Sequence, residues 1–353
     1  MVPRSRSTRT PRAFVPPYPP SWVNRLIDWI DRRPWPAWVS YAAGVVLLGT
    51  VLKLAQWLAG DAPMRAAFGP EALIFSFYPV YFVALLHYLD RQAKPALETF
   101  RPALGASQAE YALIEYELTT VPARGAWIAT AFGIPLGFLF IFPGGAGSSP
   151  LQTLPLEGLA VLYTIFTTGS FFVLAFHTIR QLRRVSQLHA AARTINLLQP
   201  RPTYAFSRLT SRTAIGVLAF LYFDFLINPP TEGVWLPYVT FTGAAVILMA
   251  AAFPLPLLGM HQRLTREKAK LEAEVNQSVE SSYRELQRLV RSRSYARVGD
   301  LEKALSSSVM MRGVVARLST WPWQPETFRG VLATVFLPVF IWLVQFSLQR
   351  LLG

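Results

Sequence analysis

The residues able to do chemistry in this chain are few, and most lie inside or beside apolar runs. Lys53 and Asp224 are ionisable groups within two such runs. A charge in hydrocarbon is costly enough to be a functional candidate by default. Each falls toward the outer end of its run, so a Lys53–Asp224 pair at similar depth is one reading, and a Lys53 that snorkels to the outer headgroups is the other. The four histidines are His87, His177, His189 and His261. His87, His177 and His261 close apolar runs on the inner side, and His189 lies beyond one. Imidazoles can hold a metal or a haem iron. No His-x-x-x-His pair or carboxylate–histidine cluster supports that, so interfacial, hydrogen-bonded histidines are expected, with no metal and no cofactor. Glu110, Glu115 and Glu117 alternate with apolar residues, as the polar face of a helix does. Gly144–Ser149 lacks the lysine and the strand–helix setting of a phosphate loop. No Gly-x-Ser-x-Gly, His-Glu-x-x-His or Walker pattern is present, so no catalytic residue is named and no enzyme is expected.

A different chemistry is written into the last apolar run, Phe328–Leu348. Gln345 sits near its end, and a bare amide facing lipid is costly. Gln349 follows one turn on, Thr334 precedes by about three turns, and Pro338 lies between them on the same face. Such a stripe either lines an aqueous path shared between subunits or joins one helix to its neighbours by hydrogen bonds.

These residues require a membrane scaffold to position them. The chain has 353 residues, 52% hydrophobic and 15% charged, too apolar for one soluble core of this length. Runs of about 20 apolar residues, the length a bilayer demands, fall near Val39–Ala59, Ala72–Leu89, Gly125–Phe142, Leu156–Ile179, Thr213–Ile227, Val234–Met260 and Phe328–Leu348. The fifth is short and borrows a turn from Phe206–Arg212. Proline-rich Pro16–Pro20 stands where a signal peptide would carry its apolar core, so no cleavable signal is expected. Cysteine is absent, which removes disulfide and thiol chemistry.

Charge sets the orientation. The net charge is +14, and seven arginines from Arg4 to Arg33 precede the first run. Basic residues also crowd the second and fourth connections and the block after His261. The alternate connections are almost bare. Positive-inside bias then predicts an inside N-terminus, seven spans and an outside C-terminus. Attraction to anionic inner-leaflet lipid accounts for the basic balance, and no nucleic acid is expected, since no aromatic-studded basic domain is present.

The expected organisation has four parts. Residues 1–36 form a cytoplasmic tail whose Trp22, Val23, Leu26, Ile27, Trp29 and Ile30 share one face of an interfacial helix. Residues 37–260 form a six-helix membrane bundle with cytoplasmic extensions, including a short helix over Tyr111–Leu118. Residues 261–326 form a cytoplasmic helical anchor. There, Leu264, Leu271, Val275, Val279, Leu286 and Leu289 make a stripe that needs burial. A second helix covers Val298–Leu318, and Trp321-Pro322-Trp323-Gln324-Pro325 breaks it. Residues 327–353 form the last span.

In topology and in Gln345-Phe346 near the end of the last span, the chain resembles the insect odorant and gustatory receptor superfamily of ion channels. The threonine-tyrosine pair that precedes this motif in the family is replaced by Pro338-Val339. The resemblance implies an all-α, homotetrameric, ligand-gated cation channel in the cell (inner or plasma) membrane, with a central pore made by the last spans. The implied pore-lining set is Thr334, Pro338, Ile341, Trp342, Gln345 and Gln349, with Trp342 at the constriction, where an apolar side chain gates by dewetting. The implied pocket for a small apolar ligand lies in the outer half of the bundle, with Tyr78, Phe138, Phe140, Tyr163 and Tyr238 as candidates. A non-conducting sensor or scaffold acting through the cytoplasmic helices is the alternative, and a transporter the next.

Overall fold

The computed structural model describes residues 14–58, 70–141, 157–193, 196–227, 250–292 and 298–352, with residues 243, 246 and 247 between them. The architecture is all-helical, 85% helix with no strand among the described residues. Four helical segments are long and apolar enough to cross a membrane: Ala37–Ala55, Leu73–Leu104, Val161–Ala191 and Arg201–Ile227. This is the construction of a membrane protein. Most of the run near Val234–Met260 lies outside the described residues.

The helices are α1 (Trp22–Asp31), α2 (Ala37–Leu58), α3 (Pro70–Leu104), α4 (Gln108–Thr119), α5 (Ala123–Ile141), α6 (Glu157–Ala191), the single turn α7 (Pro200–Thr203), α8 (Ser207–Ile227), α9 (Leu258–Arg291), α10 (Val298–Ala316) and α11 (Pro325–Leu352). Local signals explain their ends. Ser21 caps α1 by accepting from the Asn24 amide, and Ser107 with Glu110 forms a reciprocal capping box on α4. Gly105, at φ 57°, stops α3 in the left-handed conformation that glycine adopts without strain. Helices α3 and α6 have 35 residues each, roughly 52 Å at 1.5 Å per residue, well beyond a hydrocarbon core of about 30 Å. Each is longer than a membrane crossing needs.

The chain divides into two compact units, one comprising Met1–Lys94 and Ala106–Thr178, the other Pro95–Gly105 and Ile179–Gly353. In the first, Val23, Ile27 and Ile30 of α1 are buried, so the amphipathic stripe of α1 packs on protein. The polar side chain of Asn24 fixes that docking, accepting from the Val121 amide at 2.9 Å while its Nδ2 donates to the Thr119 carbonyl at 3.4 Å. Helices α5 and α6 approach closely. A Cβ at Gly133 would fall 2.5 Å from the Phe172 ring and 3.2 Å from the Thr168 carbonyl oxygen, so a small residue is what allows the contact.

In the second unit, Ala214, Phe253, Leu257 and Val331 form a buried cluster flanked by Ile215, Trp323 and Val335. It joins α8 to the start of α11. Helices α9 and α10 form an antiparallel hairpin. The Lys268 ammonium donates to the carbonyls of Ala316 and Leu318 at 2.8 and 3.0 Å, and Ser278 Oγ meets Ser308 Oγ at 3.2 Å. The half-buried Leu271, Val275, Val279, Leu286 and Leu289 share one face of α9.

Candidate functional site

Two arrangements concentrate the polar chemistry, one in each unit. In the first unit, α3 carries His87, Asp90 and Arg91 on one face at spacings of three and four. His177 Nε2 of α6 lies 2.7 Å from Asp90 Oδ1, with the two side chains 1% and 8% exposed. His177 Nδ1 is buried without a hydrogen-bond partner. Asp31, just past the apolar stripe of α1, receives Arg91 at 2.6 Å and His87 Nε2 at 3.2 Å on the same carboxylate oxygen. Tyr41 Oη of α2 lies 2.8 Å from His87 Nδ1. The set therefore holds two histidine–carboxylate pairs and a phenol. It can bind and exchange protons among oxygen and nitrogen atoms that are buried at Asp90 and His177 and open to solvent at Asp31 and Arg91. Among the described residues no three His, Cys, Asp or Glu side chains converge as a metal ion would require.

The carboxylate–histidine pairing is absent from the sequence reading, which finds no such cluster. A local signal for it exists: His87-x-x-Asp90-Arg91 places an imidazole, a carboxylate and a guanidinium on one helical face at the end of an apolar run.

In the second unit, an aromatic column joins the hairpin to the last helix. The His261 ring of α9 stacks on Trp321 at 3.7 Å and an interplanar angle of 7°. Trp321 stacks on Trp323 at 4.3 Å, and Trp323 on Phe328 of α11 at 5.7 Å. His261 Nδ1 also lies 2.9 Å from the Thr320 carbonyl oxygen. The Trp321–Pro325 break is thus a packed joint between α10 and α11.

The remaining histidine, His189, is buried, with Nδ1 3.2 Å from the Pro256 carbonyl oxygen. All four histidines are accordingly engaged in hydrogen bonds or ion pairs.

The sequence-derived candidates fall as follows. Thr334 is half-buried on the face of α11 shared with Val331, and its hydroxyl donates to the Gly330 carbonyl at 2.9 Å. Pro338, Ile341, Trp342, Gln345 and Gln349 lie on α11, with side chains outside the described set. Lys53 and Asp224 are half-buried, Lys53 in the first unit and Asp224 in the second. Tyr238 lies outside the described residues, and so do the side chains of Phe138 and Phe140.

Tyr78 and Tyr163 are brought together around Phe75. The Tyr78 ring lies 5.9 Å from that of Phe75, and the buried Tyr163 hydroxyl donates to the Phe75 carbonyl at 2.7 Å. Pro79 explains the second contact. In a helix the Phe75 carbonyl would accept from residue 79, and proline has no N–H to give. Tyr163 supplies the missing donor in a setting without water. Tyr163→Phe is expected to cost about 1–3 kcal/mol, the penalty of an unsatisfied buried carbonyl. Pro79→Ala should restore the helical donor and remove most of that cost in the double variant, read by thermal unfolding in detergent. Equal losses in both backgrounds would contradict this pairing.

No family model, no curated protein and no solved structure matches the chain.

Proposed function

We propose that this chain is a seven-span membrane protein, N-terminus inside, that assembles as a homotetramer and works as a ligand-gated, cation-permeable channel with the last helix lining the pore. The observation that carries the reading is the hairpin. Its α10 helix turns Leu301, Leu305, Ser308 and Val315 toward burial, yet leaves Val309, Met310, Met311 and Val314 in the open, Met310 at 73% exposure. An apolar row of this kind on a polar hairpin marks an interaction surface. Copies of the same hairpin would cover it around a central axis.

The aromatic column supports the second half of the proposal. It ties the hairpin to α11 through stacked rings, so a displacement of the hairpin reaches the last helix without a flexible link. Thr334 bears on how α11 would line a pore. It is half-buried one turn from Val331, which packs against Ala214 of α8, so the proposed stripe runs from that packed end of α11 to Gln345 and Gln349. The aromatic cluster of Phe75, Tyr78 and Tyr163 is the proposed seat of a small apolar ligand.

The test is mass in a mild detergent, corrected for bound detergent, followed by currents in planar bilayers. A tetramer with unitary cation currents is expected. Met310→Glu with Val314→Glu should give monomers and abolish those currents, and Trp342→Ala should raise conductance. A monomer that persists in lipid discs would remove the pore. A tetramer whose behaviour ignores Trp342→Ala and Gln345→Ala would instead fit the scaffold reading, in which the column relays a signal to a cytoplasmic partner.

A further inference from the structure

The short link between α1 and α2 carries an arrangement that neither the histidine–carboxylate set nor the aromatic column uses. Its sequence is Trp29-Ile30-Asp31-Arg32-Arg33-Pro34-Trp35-Pro36-Ala37-Trp38. Two prolines hold the link out of the helix. The Arg33 guanidinium carbon sits 4.1 Å over the Trp29 ring and 5.8 Å from that of Trp35. The Trp35 indole is fixed in turn, donating to Ser40 Oγ at 2.8 Å. A guanidinium stacked on an indole has its flat face covered and its N–H edge available, and that edge is a planar fork matched to phosphate oxygens.

The surrounding charges favour an anion. Arg25, Arg32 and Arg33 are exposed, against exposed Asp28 and Asp31. Asp31 is already held by Arg91 and His87.

The location identifies the anion. Trp29, Trp35 and Trp38 are 52%, 45% and 70% exposed, and the apolar stripe of α1 beneath them is buried in protein. Trp38 opens the membrane-length segment Ala37–Ala55, whose Val46, Leu47, Val51 and Leu54 are exposed and need lipid. Exposed tryptophans at the mouth of such a segment belong at headgroup depth. A cation clamped among them meets lipid phosphates.

We propose that Arg33, clamped by Trp29 and Trp35 and assisted by Arg32, is a binding site for the phosphate of an anionic phospholipid. The inference rests on the membrane construction of the chain and is independent of whether it conducts. The stacked guanidinium fixes the headgroup, and the flanking indoles and the first turns of α2 receive the acyl chains. Site-bound lipid differs from diffuse attraction to a charged leaflet, because it depends on the geometry of one arginine.

The test is native mass spectrometry of the full chain in mild detergent, titrated with phosphatidylglycerol, phosphatidylcholine or inorganic phosphate. Wild-type protein should retain phosphatidylglycerol in preference to phosphatidylcholine, and millimolar phosphate should not displace it. Arg33→Ala should weaken retention about tenfold. Arg33→Lys should recover only part of it, since an ammonium keeps the charge and loses the fork. Arg25→Ala, an equal change in charge one turn before Trp29 and outside the stack, should leave retention unchanged. Trp29→Leu removes the stack at constant charge and should weaken binding, so the inference can be read even if Arg33 variants fail to fold. Equal losses in Arg25→Ala and Arg33→Ala would reduce the site to diffuse charge. Unchanged retention in Arg33→Ala and Trp29→Leu would overturn it, and displacement by phosphate would assign the fork to a soluble anion.

Discussion

Replacing His177 by alanine is expected to destabilise the protein by about 3–5 kcal/mol, the usual cost of removing one partner from a buried, hydrogen-bonded pair of ionisable groups. The reason is geometric. Asp90 is 5% exposed and His177 1% exposed, and the imidazole meets the carboxylate at 2.7 Å. Alanine removes that donor and leaves a void on α6 that water cannot readily fill. A carboxylate in low dielectric loses far more by this than an exposed one does. The reciprocal Asp90→Ala should cost less, because neutral imidazole tolerates burial better than a carboxylate does.

The decisive comparison is Asp90→Leu with His177→Leu. Two apolar side chains of similar bulk remove both polar groups together, and most of the lost stability should return. Thermal unfolding in one detergent would read this as a fall on the order of 10 °C in His177→Ala that the double variant largely reverses. A loss under about 1 kcal/mol in His177→Ala would mean that the pair is not a structural element of the first unit. If the double variant is stable yet inactive, the dyad is retained for proton binding, as an ionisable pair within membrane-length helices is expected to be.

How far the sequence reveals these features depends on their range. The apolar runs that become α2, α3, α6 and α8 are legible because lipid demands both length and low polarity at once. The Trp321–Pro325 break is legible because proline cannot continue a helix. The stripe of α1 is legible as a stripe and no further. Val23, Ile27 and Ile30 would bury equally well in lipid or against protein, and only the tertiary structure assigns them to protein. The Asp90–His177 pair joins residues 87 positions apart, and no periodicity encodes such a distance. The role of Tyr163 is similarly hidden. Pro79 announces an orphaned carbonyl at Phe75, but which side chain answers it is decided by how α6 packs.

In the second unit, one arginine ties the α9–α10 hairpin to the end of α6. Arg263, in the first turns of α9, donates to the carbonyls of His189, Ala190 and Ala192 at 2.6, 3.0 and 2.8 Å. Those carbonyls end α6 and have no helical partner. A guanidinium also carries the sign of charge that a helix C-terminus favours. Close by, His189 meets the Pro256 carbonyl, and the rings of Phe100 and Phe206 stand edge-on to it at 5.4 and 5.5 Å.

Arg263→Ala is accordingly expected to cost about 2–4 kcal/mol, since hydrogen bonds from a charged donor are each worth about 1.5–3 kcal/mol and act here as one group. Arg263→Lys should recover less than half, because a point ammonium cannot reach three carbonyls arranged for a fork. Amide exchange gives the sharper reading. The last turn of α6 and the first turns of α9 should lose protection in Arg263→Ala, while the Asp90–His177 region should keep it. Uniform loss of protection across both units would show that Arg263 serves global stability. Local loss at the α6–α9 joint, together with altered response of α11, would show that the hairpin acts on the last helix through a fixed anchorage to α6.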